Sequence, residues 1–217
     1  MNLKNLKYLF FLLVMAFGLS SCSETDNDDM AAEFANWQER NHKAFADTLA
    51  YARQQIANGS KEWKVILNWS LQNQTPNADA NVTETKYDDD DYIVVHVLDE
   101  GSNKTSLLYT DSIKMNYRGR LMPSSSYTDG YVFDQTFVGV YDKRTALPTN
   151  TTVDAGYVDG FTTALLNMHV GDRWQVFIPE NLGYGSTEKT GIPSYSMLRF
   201  EMVLSGYKRG EGAWIIQ

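Results

Sequence analysis

Near the end of the stretch VGDRWQVFIPENLGYG, Val170 to Gly185, a tyrosine stands between two glycines. Tyr184 offers a hydroxyl that both donates and accepts, on a ring large enough to cover an apolar space. Gly183 and Gly185 let the backbone turn sharply and come close to whatever lies beside it. No nucleophile stands in the stretch, so the pattern points to a lip over a neighbouring space rather than to bond-making chemistry. Other constellations are weaker. His42, His96 and His169 are scattered, and Cys22 is the sole cysteine, so no zinc-like spacing arises. The run YDDDDY, residues 87–92, lacks the alternating ligands and turn glycine of a calcium loop and reads as a solvated charge run. Neither a metal nor a cofactor is indicated.

The elements that must position such a lip come from a chain of 217 residues, 43% hydrophobic and 13% aromatic, enough for one packed domain and an accessory segment. A formal charge of −8 argues against a general grip on nucleic acid phosphates. At the start, Lys4 and Lys7 precede an apolar run from Tyr8 to Leu19 and then small residues up to Cys22. That run is shorter than the ~20 residues a spanning helix needs, so residues 1–21 read as a secretion signal that is removed. The sequence LSSC resembles the bacterial lipobox, which makes Cys22 the expected site of lipid attachment and places the protein in the cell envelope, on the periplasmic face or the outer-membrane surface. Residues 22–28 form an acidic tether, either a surface-export signal or a solvated spacer.

Residues 29–90 read as an accessory segment. Met30, Phe34, Trp37, Phe45, Leu49, Ala52 and Ile56 share one helical face between Asp29 and Asn58. Asp28 or Asp29 is the expected cap and Gly59 the expected stop. The stripe either packs on its own domain or pairs with a second subunit as a homodimer. Glu62 to Leu71 favours a strand, and QTPNADANVTET is a loop. From residue 91 to 217 the pattern changes to short strands: YIVVHVLDEG, SIKMNYRGRL, YVFDQTF, DRWQVFIP and MLRFEMVLSGY. One stretch, DGFTTALLNMHVGD, suits two helical turns. Antiparallel strands with one short helix in the concavity of their sheet imply an α+β domain.

The ordered set KMNYRGRL, VFDQT, YVDGFTTALLNMHVGDRWQVFIP, LGYG and IPSYSMLRFEMVL resembles the FKBP family of peptidyl-prolyl cis-trans isomerases, over roughly Tyr92 to Tyr207. The resemblance implies an antiparallel sheet wrapped around a short helix, preceded here by an N-terminal helical segment. It also implies a hydrophobic pocket that receives a proline ring, with X–Pro polypeptides as substrates and macrolides as inhibitors. Carried over residue by residue, Tyr184 is the overhanging tyrosine, Phe133, Asp134 and Tyr117 complete the catalytic set, and Asp134 orients Tyr117. Tyr157 and Val158 present backbone to the substrate, Phe161 is the floor, and Ile192 and Phe200 close the far side.

Several positions depart from the family pattern. Phe161 replaces the usual tryptophan, ALPTNTTV lacks a wall phenylalanine, Ser194 stands where a second proline is common, Tyr157 replaces a smaller residue, and the loop LMPSSSYTDGYV is long. Three functions follow. One is a lipid-anchored isomerase assisting the folding of exported proteins. Another is a degenerate domain that binds proline segments or partner proteins with little catalysis. The last is a glycan-binding surface lipoprotein.

Overall fold

In the computed structural model, which describes residues 33–72 and 87–217, the strand-forming stretches pair into one antiparallel sheet. Its strands are β1 (Trp63–Leu67), β2 (Tyr92–Asp99), β3 (Ser112–Arg120), β4 (Val132–Gln135), β5 (Thr149–Thr152), β6 (Arg173–Ile178), β7 (Leu198–Lys208) and β8 (Ile215–Ile216). The order is β1-β2-β6-β7-β3-β4, with β5 pairing to β3 and β8 to β7. Helix α1 (Trp37–Ala57) precedes the sheet, and α2 (Asp159–Asn167) lies between β5 and β6. Asn36–Gln217 form one compact unit, to which the described residues Glu33, Phe34 and Ala35 do not belong.

Period-2 alternation explains the long strands. Leu198, Phe200 and Met202 of β7 are buried while Arg199 and Glu201 alternate with them, and Trp174, Val176 and Ile178 of β6 are fully buried. Helix α2 is buried along Gly160 to Leu165, nearly all round, as a helix enclosed by a sheet must be. Strands β5 and β8, too short and too polar or exposed to carry a pattern, were not expected from the sequence.

The accessory segment contributes to the same sheet. Strand β1 pairs with β2 in register, Trp63 opposite His96 and Leu67 opposite Tyr92. Helix α1 buries Trp37, Phe45, Leu49 and Ala52 against its own unit, so these four residues of the stripe are covered within the chain. Burying each large side chain stabilises by about 1.5–3 kcal/mol. Two expectations are corrected. The helix does not run unbroken from Asp29: a turn over residues 34–36 precedes α1, with Asn36 in the left-handed region at φ 51°, which asparagine tolerates. Ile56, placed on the buried face by spacing, is exposed, and the polar Asn41 is buried instead. Met30, Asp28, Asp29, Cys22, the leader, the tether and the loop at 74–85 lie outside the described residues.

The acidic run forms a 3-10 turn, Asp89–Asp91, in which the Asp88 N–H donates to Asp91 and Arg53 pairs with Asp89 at 2.7 Å. Among the described residues no three His, Cys, Asp or Glu side chains converge to hold a metal, and no helix is long and apolar enough to cross a membrane.

Candidate active site

Strand β3 supplies Tyr117 and Gly119 on the inner face of the sheet. Gly119 lies opposite both Phe200 of β7 and Asp134 of β4. A side chain there would collide with the site: a Cβ on Gly119 would stand 2.4 Å from the Phe133 ring and 2.7 Å from that of Phe200. The glycine is what allows the two rings to meet edge to face, 5.5 Å between centroids.

Adjacent residues of a regular strand point to opposite faces, so Phe133 and Asp134 should not both reach one cavity. They do so because β4 carries a bulge: Gly119 pairs with Asp134 and Arg120 with Val132, leaving Phe133 as the extra residue. Thr136 fixes the neighbouring backbone, its N–H donating to the Tyr117 carbonyl at 2.9 Å and its hydroxyl accepting from the Tyr117 N–H at 2.9 Å.

The floor comes from the first turn of α2. Val158 is its extended N-cap residue, and the buried Phe161 follows. Around the Phe161 ring stand Tyr157 at 4.7 Å, Phe200 at 4.9 Å and Tyr117 at 5.8 Å, centroid to centroid. The Tyr157 hydroxyl bonds Thr151 of β5 at 3.1 Å. The Val158 carbonyl accepts from Phe161 and Thr162, while its N–H has no partner among the described residues.

One polar edge breaks the apolar box. The Tyr117 hydroxyl donates to Asp134 Oδ2 at 2.7 Å. Burial, and after it the hydrogen bond to Asp134 and that carboxylate's charge, push the Tyr117 phenol well above its ordinary value. Tyr117 is therefore a neutral donor throughout the physiological range. The remaining boundary is the segment after β6. Tyr184 is half-buried, Gly185 has the positive φ of 55° expected of its sequence context, and Lys189 Nζ lies 5.6 Å from the Tyr184 ring centre.

Together these residues enclose a cavity of about 510 Å³. All nine positions singled out from the sequence, Tyr117, Phe133, Asp134, Tyr157, Val158, Phe161, Tyr184, Ile192 and Phe200, line it. Gly156, Lys189 and Thr190 line it too and were missed. The signal for the last two was their place between Gly185 and Ile192, two points already assigned to the rim.

A concave antiparallel sheet over a short helix, with an aromatic box between them, defines an FKBP-like α+β domain. The family model described as FKBP-type peptidyl-prolyl cis-trans isomerase matches residues 104–205. FK506-binding protein 1A of Neurospora crassa is 32% identical over 120 residues, covering 54% of this chain and 90% of that protein. The macrophage infectivity potentiator of Trypanosoma cruzi is 35% identical over 119 residues, 54% of each chain. The FKBP-type 22 kDa peptidyl-prolyl cis-trans isomerase of Escherichia coli is 33% identical over 96 residues, 44% of this chain and 40% of that one. The chain thus belongs to the FKBP-type peptidyl-prolyl cis-trans isomerase family. The match spans about half the length of the last two relatives or less.

Proposed function

We propose that this protein is a peptidyl-prolyl cis-trans isomerase that assists the folding of exported polypeptides from a lipid anchor in the cell envelope. The observation that carries the catalytic part is the aromatic box with a single polar edge, Tyr117 bonded to Asp134, beside an unengaged Val158 N–H.

The chemistry suits that enclosure. Rotation about an X–Pro amide faces a barrier of ~18–20 kcal/mol because resonance must be broken. Uncatalysed exchange takes about tens to hundreds of seconds. No covalent bond forms or breaks, so the residues need only favour the twisted amide over the planar one. A twisted amide has lost its resonance dipole and sits more comfortably between Phe133, Phe161 and Phe200 than the planar form does. The Val158 N–H is placed to bind a substrate carbonyl, and the Tyr184 hydroxyl to hold a second while the chain turns. Asp134 holds the Tyr117 hydroxyl in a fixed orientation at the box edge.

A binding module with little turnover is the second reading, and Tyr157 favours it: its ring lies tilted at 31° over Phe161 and covers part of the floor. An X–Pro peptide isomerisation assay separates the two. Acceleration over the uncatalysed rate supports catalysis, while proline-peptide binding without acceleration supports the module.

The anchor rests on the LSSC sequence at Cys22 after an apolar run. Cell fractionation of Cys22→Ala tests it: the variant should leave the membrane fraction, and membrane retention would overturn the anchor.

A further inference from the structure

The segment from Glu180 to Met197 carries Tyr184, Lys189, Thr190 and Ile192 to the cavity, yet it has almost no sheet structure of its own. Its internal ties are a 3-10 turn at Glu180–Leu182 and an isolated bridge between Lys189 and Ile192. The Gly183 and Gly185 N–H groups both donate to the Glu180 carbonyl, and the Tyr195 N–H donates to the Gly185 carbonyl at 2.7 Å. Tyr195 holds φ 60°, an uncommon conformation for a bulky residue that persists only where the surroundings fix it. Something outside the segment must therefore set its position.

That something is the first turns of α1. Trp37 Nε1–H donates to Ser196 Oγ at 2.9 Å, and Ser196 Oγ donates in turn to the Pro193 carbonyl at 2.6 Å. Asn41, buried to 1% exposure, uses both ends of its amide: Nδ2 donates to the Trp37 carbonyl at 2.7 Å, and Oδ1 accepts the Met197 N–H at 2.9 Å. His42 Nε2 meets Glu180 Oε1 at 2.9 Å. The Glu180 side chain is only 9% exposed, its Oε2 has no hydrogen-bond partner, and His42 is its one ion-pair partner among the described residues. Neighbouring side chains of one helix thus grip the segment at both ends, at residue 180 and at residues 196 and 197.

We propose that Trp37, Asn41 and His42 are positioning residues for the pocket, with α1 acting as a brace that sets the height of Tyr184 and Ile192 over the bound proline. The proposal rests on the isomerase reading for the consequence in turnover, but not for the brace itself. Loss of the His42 contact leaves the Glu180 carboxylate buried and without its ion-pair partner, and a buried unpaired charge is relieved by opening the segment that carries it.

The test uses the full chain with His42→Ala, and with His42→Gln, which retains an N–H donor at similar reach. His42 is 48% exposed, so neither change leaves a core cavity. Amide hydrogen exchange is followed in residues 181–195 and in β3 and β7, alongside kcat and KM on an X–Pro peptide. In His42→Ala, exchange in 181–195 should rise on the order of tenfold with β3 and β7 unchanged. KM should rise about three- to tenfold with kcat within about twofold, and His42→Gln should restore both. An equal rise across β3 and β7, or no change in 181–195, overturns the brace. A wild type that shows no turnover while His42→Ala still opens 181–195 overturns the isomerase reading and leaves the brace supported.

Discussion

The wall of the cavity and its lip are built by different means. Tyr117, Phe133 and Phe200 ride on strands whose register places them, Phe161 rides on the buried helix α2, and their rings touch one another. The lip that carries Tyr184 has one isolated bridge and takes its position from α1, a helix more than a hundred residues earlier in the chain. The difference separates stability from function. A change in the wall disturbs the core and the pocket together, whereas a change in the lip alters the pocket and leaves the core alone.

The largest effect expected from this comparison is on the wall. Phe161→Ala removes a buried ring shared by three aromatic neighbours and should destabilise by ~3–5 kcal/mol. For a chain of this size that is a fall in Tm of roughly 10 °C, read by thermal melting. A fall of only a degree or two would show that Phe161 is a detachable lining and that the wall is no more integral than the lip.

The polar edge comes next. Asp134→Ala and Tyr117→Phe each remove the same hydrogen bond, so the double variant should lose no more activity than the worse single one, a departure from additivity readable in kcat/KM. Additive losses would mean that the two residues act separately. For the lip, Tyr184→Phe removes one neutral hydrogen bond worth on the order of 0.5–1.5 kcal/mol, about tenfold in rate at most. Its Tm should match wild type within a degree or so, and a substantial fall would place Tyr184 with the wall.

This contrast also marks what the sequence disclosed. Strand alternation and the ordered motifs made β2, β3, β4, β6, β7 and α2 legible, and the motifs marked nine of the twelve lining residues. The bulge that turns Phe133 and Asp134 to one side was not legible from period, because a regular strand would have separated them. Gly119, inside the strand SIKMNYRGRL, has no side chain to signal a role, although it is the space into which two rings fit. Asn41 and His42 were invisible as contacts: polar residues on a helix read as a solvated face, and their partners lie far along the chain. Lys189 and Thr190 sat in a loop with no periodic signal at all.

The smallest effect is confined to acid. Asp111, at the root of β3, is fully buried. Burial alone would raise its carboxyl, but the hydrogen bonds from Arg209 and from the Leu108 N–H outweigh it and hold it below the ordinary value of 3.8. A depressed carboxylate contributes stability that is present above its unfolded pKa and lost as pH falls through the folded one. Tm should therefore fall below about pH 4, and the acid limb should flatten in Asp111→Asn. An unchanged limb in that variant would assign the acid sensitivity to other groups.

Turnover decides whether the cavity is an isomerase site. Cis-to-trans isomerisation of a short chromogenic X–Pro peptide should be measured with the folded wild-type chain, against the same peptide alone and against Phe133→Ala and Tyr184→Phe checked for folding by thermal melt. Wild type should shorten the uncatalysed exchange of about tens to hundreds of seconds in proportion to its concentration, with both variants slower. Folded wild type that leaves the peptide at its uncatalysed rate would contradict the assignment of the cavity as an isomerase site.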